Sequence, residues 1–333
     1  MARSVFRKDL AKLAYAYKNP VSWYLDPVIP EVGVDAMEGQ YRKMNEDTYF
    51  AQVETSLTED GYARESNEAD SFESYSLEML GQAQFISDLE MKQPGSYEYL
   101  NAADMLRKKV EFKAMQMKQD KEIRIANFLF DSGNYSLTTT LTGTDQWSDL
   151  NNSDPLVNVQ TGIDALLGPA NLMIMGHEVL RQLQRHSKIT GATTVYGKTR
   201  KDPTLNPEVT VQYLANYFGI ETVLVGRAIK DSTPLTKGTA TSAQIWGKHV
   251  FIGYLDRNAA TNPDIASFAK MLYLDHPSMK PGGQGDGTMG WMVKTTPDDR
   301  KGVVGGLYLD VGYAMQLKVF AAKLGYLIVN AVA

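Results

Sequence analysis

The chain contains no cysteine, which excludes disulfides, thiolate metal sites and cysteine nucleophiles together and suits a reducing cytoplasm. Only four histidines occur in 333 residues. His177-Glu178 opens a predicted helix, but no histidine follows at the four-residue spacing that puts two metal ligands on one helical face. His186, nine positions on, falls about half a turn out of phase and reads as packed or capping. No triad or metal set is recognisable, so no catalytic, metal or cofactor-binding residue is assigned. There is also no uninterrupted apolar run long enough to span a bilayer, since residues 315–333 are broken by Lys318 and Lys323. The basic N-terminus lacks the apolar core of a secretory signal. A formal net charge of -5 argues against a general nucleic-acid binder, because phosphate binding needs dense positive charge. A soluble protein is expected.

Two glycine-bearing motifs mimic ligand loops. Residues 192–199 fit a loose phosphate-loop pattern, yet a helix precedes them, β-branched residues fill the cradle, and Pro203 and Pro207 obstruct a following helix. Residues 282–287 are glycine-rich but lack a strand-to-helix setting and read as a surface loop.

The most informative stretch is residues 142–189. Gly143-Thr144-Asp145-Gln146-Trp147 leads to Ser153-Asp154-Pro155, where Pro155 fits the first helical position and Ser153 or Asp154 supplies the cap. Val159, Ile163, Leu166 and Leu167 recur at helical spacing until Gly168-Pro169. Leu172-Met173-Ile174-Met175 reads as a short buried strand ended by Gly176, and Val179, Leu180, Leu183 and His186 form one face of a second helix.

This block resembles the major capsid proteins of tailed bacteriophages, the family with the Hong Kong 97-like fold, and in particular the lambda-like shell proteins. The likeness extends to the order of segments: basic arm, acidic extended segment, long helix, Trp/Asp-Pro block, mixed region, apolar C-terminal strands. Ala170, between Pro169 and Asn171, departs from the Pro-Asn pair common in the family. The resemblance implies an α+β fold with an N-arm (1–45), an extended E-loop hairpin (46–93), a P (peripheral) domain (94–155 and 293–333) with a spine helix, and an inserted A (axial) domain (156–292).

The residues agree with that division. Residues 3–17 form a predicted basic amphipathic helix with Phe6, Leu10, Leu13, Ala14 and Tyr17 on one face, docked on its own domain, in a partner's groove or on a membrane surface. Prolines at 20, 27 and 30 favour extended chain. Residues 46–90 are acidic, with twelve carboxylates against Arg64 alone, and alternation at 49–55 and 85–91 predicts the two strands of a hairpin. Residues 97–130 lack Pro and Gly and carry near-heptad apolar spacing, predicting one helix of roughly 50 Å. Its cations at 107–109, 113, 118, 121 and 124 suggest complementary pairing with the acidic hairpin of another copy. Further on, a helix is expected at 209–218 and strands at 221–225 and 249–254, while the final strands, 306–313 and 325–329, return to the lobe of the long helix.

The expected function is self-association into the pentamers and hexamers of an icosahedral shell enclosing phage double-stranded DNA without sequence-specific binding. The expected location is the virion, after assembly in the host cytoplasm. Phe6, Leu10 and Trp23 in the arm and Tyr49, Phe50, Tyr62 and Phe72 in the hairpin are the expected intersubunit contacts, since aromatics on an extended acidic element need a cover. The resemblance further implies scaffolding, portal and cement or decoration proteins as partners. No lysine lies between Lys43 and Lys92, so the lysine cross-link that some relatives form from the E-loop is not expected. Rival readings are an encapsulin-type nanocompartment on the same fold and a soluble nucleotide-binding enzyme built on residues 192–199.

Overall fold

The computed structural model describes residues 5–18, 28–43, 71–92, 102–189, 210–231, 242–261, 265–275, 290–301 and 303–333. Strand β1 (Val5–Phe6) leads into helix α1 (Lys8–Ala16), followed by β2 (Glu31–Val34), β3 (Glu38–Lys43), β4 (Ser71–Ser76), β5 (Glu78–Ser87), the short helix α2 (Asp88–Lys92) and the long helix α3 (Ala102–Leu129). Next come β6 (Leu137–Thr140), α4 (Pro155–Ala165), β7 (Leu172–Gly176), α5 (His177–Leu183), α6 (Val211–Phe218), β8 (Thr222–Gly226), β9 (Ile229–Asp231) and β10 (Ser242–Gln244). The chain closes with β11 (Val250–Gly253), β12 (Ala269–Leu274), β13 (Met292–Asp298), β14 (Gly306–Val319) and β15 (Gly325–Val329).

Two sheets organise these elements. One joins β1, β13, β14, β12 and β2 in that order, with β5 also paired to β14; the other runs β6, β15, β11, β7, β8. Helix α3, 28 residues and about 42 Å long, has core residues in common with both. Its buried residues Met105, Val110, Ala114, Met117, Ile125 and Leu129 belong to one cluster with Leu309, Val311 and Tyr313 of the first sheet and Leu172, Ile174 and Phe251 of the second. The second sheet is covered on both faces. Leu172 and Ile174 of β7 point into the α3 core, while Met173 and Met175 point into a second core with Val159 of α4, Leu180 of α5 and Leu214 of α6. A strand buried on both faces is apolar at every position, which is why residues 172–175 read as a continuous run.

Local signals account for several boundaries. Asp154 is the N-cap of α4, accepting the Val157 N–H at 3.3 Å, with Pro155 at the first helical position. The strand expected at 85–91 ends at Ser87. There the sequence Ser87-Asp88-Leu89-Glu90 has the Ser-x-x-Glu spacing of a helix start, and Ser87 Oγ accepts the Glu90 N–H at 3.1 Å. The hairpin pairing also differs from expectation. Strand β4 pairs with β3 as a two-stranded ribbon, and β5 joins the six-stranded sheet along β14; residues 49–55 lie outside the described residues.

Strand β14 packs on the long helix as expected, but β15 does not return with it. It pairs with β11 and β6 in the second sheet, and β12, placed by the sequence in the inserted domain, pairs with β14 in the first. The two crossings lie side by side. Tyr254 N–H donates to Leu324 O, Phe268 N–H to Tyr254 O and Phe320 N–H to Phe268 O, each at 2.9 Å. Gly325 is required here, since a Cβ would lie 2.4 Å from the Phe268 ring.

Trp246, just before β11, ties the second sheet to α3. Its Nε1 donates to buried Glu122 Oε1 at 2.6 Å, and its ring meets Phe130 edge-on at 5.6 Å. The indole rests where Gly226 has no side chain; a Cβ there would come within 2.1 Å of the ring. Gly226→Ala should therefore lower stability by about 2 kcal/mol in urea denaturation of the dispersed subunit, the usual cost of overpacking. Gly247→Ala, with nothing within 4 Å of its Cβ, should change it by less than about 0.5 kcal/mol.

Candidate intersubunit surfaces

Among the described residues, no group of three His, Asp or Glu is placed to hold a metal ion, and no helix is long and apolar enough to cross a membrane. One pair has the outline of catalytic machinery. Ser153 Oγ lies 2.9 Å from His186 Nε2, and both residues are buried. Lys188 N–H donates to His186 Nδ1 at 3.3 Å, which places the imidazole proton on Nε2; the Ser153 hydroxyl in turn donates to Asp149 O at 2.6 Å. A general base needs a lone pair facing the hydroxyl proton. Here the imidazole is the donor, so the pair is packed structure, as the sequence reading of His186 expected.

The Trp/Asp-Pro block acts as a brace. Ser187 Oγ donates to Leu150 O at 2.6 Å and Lys188 Nζ pairs with Asp154 at 2.9 Å, fastening the turn after α5 to the start of α4. Its front half holds the C-terminal residues. Trp147 N–H donates to Ala331 O at 2.7 Å, the Gln146 side-chain amide to Asn330 O at 3.2 Å, and Ala333 N–H to Ser148 Oγ at 3.2 Å.

Four cations of α3 have partners within their own chain. Lys121 pairs with Glu31 at 2.5 Å, Arg124 with Glu78 at 2.7 Å and Lys109 with Glu90 at 3.2 Å. Lys118 Nζ donates to the carbonyls of Tyr15, at 2.8 Å, and Tyr17, fixing the C-terminal end of α1. Glu78 and Glu90 of the acidic segment thus meet α3 of the same chain. Those pairs orient the segment's base, and at their exposure each contributes at most about 1 kcal/mol.

The expected contact residues divide. Phe6, on β1 at the sheet edge, is 52% exposed and Phe72, on the ribbon, 66%. Leu10 is corrected: it is 3% exposed and packs in the α3 core, because α1 docks on its own body along Leu10, Ala11 and Ala14. Trp23, Tyr49, Phe50 and Tyr62 lie outside the described residues, as do residues 192–199 and 282–287. The sequence reading missed other exposed apolar side chains, notably Met79 on β5, Phe112 on α3 and the pair Val303-Val304 between β13 and β14. A signal existed for the valines, since Gly302 and Gly305 bracket an apolar pair between two strands.

No protein-family model matches the chain. It is 28% identical over 329 residues to the major capsid protein of Pseudomonas phage JBD67, a match spanning 98% of this chain and 96% of that one. Its fold matches the crystal structure of a phage-related protein from Bordetella bronchiseptica RB50 (TM-score 0.70, 16% identity, 99% and 98% of the two chains). It also matches a protein described as the capsid protein of an E. coli CFT073 prophage (TM-score 0.56, 12% identity, 98% and 99%). The resemblance read from the sequence blocks therefore holds across nearly the whole chain, and the mixed helix and sheet fold is one found in phage capsid proteins.

Burial makes the histidines sensitive to acid. It holds His177, His186 and His249 below the usual imidazole range, and His249 Nδ1 accepts the Asn330 N–H at 3.0 Å. The unfolded chain therefore binds these protons first, and stability falls as pH drops below about 6.5. Further loss follows below about pH 4. Lys43 and Tyr41 hold Glu73 low, and Asp154 is held low by Lys188 and the Val157 N–H against the opposing effect of burial. The urea midpoint should fall between pH 7 and pH 5.5, and His249→Asn, whose Oδ1 replaces Nδ1 as acceptor, should flatten that slope.

Proposed function

We propose, from this kinship, that the chain is the major capsid protein of a tailed phage or of a related prophage-derived particle. Copies assemble as pentamers and hexamers of an icosahedral shell around double-stranded DNA, in the host cytoplasm, and remain in the virion. The observation that carries this reading is the full-length relative that is itself a phage major capsid protein. The same name weighs against an encapsulin-type compartment. The buried, donor-oriented His186 supports assigning no catalysis to this chain.

Under this reading the six-stranded sheet with α3 is the P domain and the five-stranded sheet with α4, α5 and α6 is the A domain. The strand exchange at Phe268 and Gly325 moves β12 into the first and β15 into the second. The hairpin that overlies a neighbour narrows to residues beyond the β3–β4 ribbon, since β5 is built into its own sheet. Phe6, Phe72, Trp23, Tyr49, Phe50 and Tyr62 remain the proposed contacts. Exposure of the first two supports them, because large apolar side chains on projecting elements are stabilised only when covered. Scaffolding, portal and cement proteins are proposed partners.

Particle mass and negative-stain images of the protein expressed alone test this, with and without residues 46–70. That deletion spares β4 and β5. Megadalton shells or capsomers that are lost on deletion are expected; a 37 kDa chain indifferent to the deletion would contradict the reading.

A further inference from the structure

Strands β7 and β8 run parallel, and Gly176 stands against Gly226 in register at their last positions. The next residues, His177 and Arg227, therefore leave the sheet side by side, at about the 5 Å spacing of neighbouring strands. Met173 and Met175 of β7, like Val223 and Val225 of β8, face the core beneath α5. The same alternation turns Arg227 to that side, where His177 is the first residue of α5 and Arg181 follows one turn later. Three cationic or N–H-bearing side chains thus gather at the carboxyl ends of two adjacent parallel strands, the place where open sheets with helical crossovers bind their ligands.

The charge gathered there is poorly balanced. Arg181 and Arg227 are exposed, and among the described residues neither has a carboxylate partner, whereas Lys188, just beyond the same helix, is paired with Asp154. His177 registers the imbalance. Besides its burial, Arg227 and then Arg181 act against protonation of the ring, and Glu178 favours it with less effect. Its Nδ1 is buried with no hydrogen-bond partner among the described residues. A buried N–H without an acceptor is rarer and costlier than an acceptor without a donor, so the neutral ring keeps its proton on Nε2 and leaves that nitrogen to donate.

We propose that the ends of β7 and β8 bind a phosphate oxyanion, held by the guanidinium groups of Arg181 and Arg227 with His177 Nε2–H as a third donor. A guanidinium presents paired N–H groups in a fixed fork, and two such forks with an imidazole match the several oxygens of a phosphate. The anion supplies the negative charge that the described chain does not place there. On a protein of net charge -5 this is a local site and not part of a general basic surface. The phosphate comes either from a free phosphate or polyphosphate ion or from a nucleic-acid backbone.

Thermal unfolding of the dispersed full-length subunit tests this, with sodium tripolyphosphate or a short DNA duplex added against sodium chloride of equal ionic strength. Saturating tripolyphosphate should raise the melting temperature by about 2–4 °C. Arg227→Gln should cut that rise at least about threefold, whereas Arg300→Gln, at an exposed arginine in the turn after β13, should leave it whole. A rise with tripolyphosphate alone assigns a free ion, and a rise with the duplex as well assigns a nucleic-acid backbone. If Arg227→Gln does not fold, Arg181→Gln replaces it with the same loss expected. No rise with either probe, a rise that both variants leave intact, or an equal loss in Arg300→Gln would overturn the proposal.

Discussion

Two turns of one helix hold this molecule in register. Between Lys118 and Arg124, α3 fixes the end of α1 through Lys118, the edge strand β2 through Lys121 and Glu31, the loop before β11 through Glu122 and Trp246, and β5 through Arg124 and Glu78. The bond that matters most is the buried one. A carboxyl group and an indole joined out of water at 2.6 Å are costly to separate, because a buried hydrogen bond lost on one side is not replaced by water. Met117 O of the same turns accepts from Tyr313 of the first sheet at 3.4 Å. The helix is therefore the common wall of both sheets, and the sheets further exchange strands at Phe268 and Gly325.

Under the proposed capsid role, a subunit that interlocks with others needs a frame that keeps its shape while surface elements reach outward. The glycines serve that frame. Gly176 and Gly226 make room for the Trp246 segment, and Gly312 for the Leu80 carbonyl of the neighbouring strand. Exposed Phe6, Phe72 and Met79 lie on the sheet edge, the ribbon and β5, large apolar side chains that the chain's own fold leaves uncovered.

Much of the frame was legible in the sequence because local chemistry and tertiary role agree there. Pro155 behind an Asp154 cap, the apolar run of β7 and the uninterrupted pattern of α3 each carry a signal that the fold preserves. The failures have physical causes. Alternation at 85–91 concealed the Ser87 cap, so α2 was read as strand. The exchange of β12 and β15 depends on contacts between residues 254, 268, 320 and 324, far apart in sequence and carried by backbone groups every residue has. Leu10 was assigned to a partner because an amphipathic helix shows that one face is covered without showing by what.

Native-state hydrogen exchange on the dispersed subunit in increasing urea reads out whether α3 fuses the two sheets into one rigid unit. Amides of Ile174 and Phe251 in one sheet and of Leu309 and Val311 in the other should open with a common free energy, because neither sheet unfolds without the helix they share. Two well-separated opening free energies, one for each sheet, would contradict it.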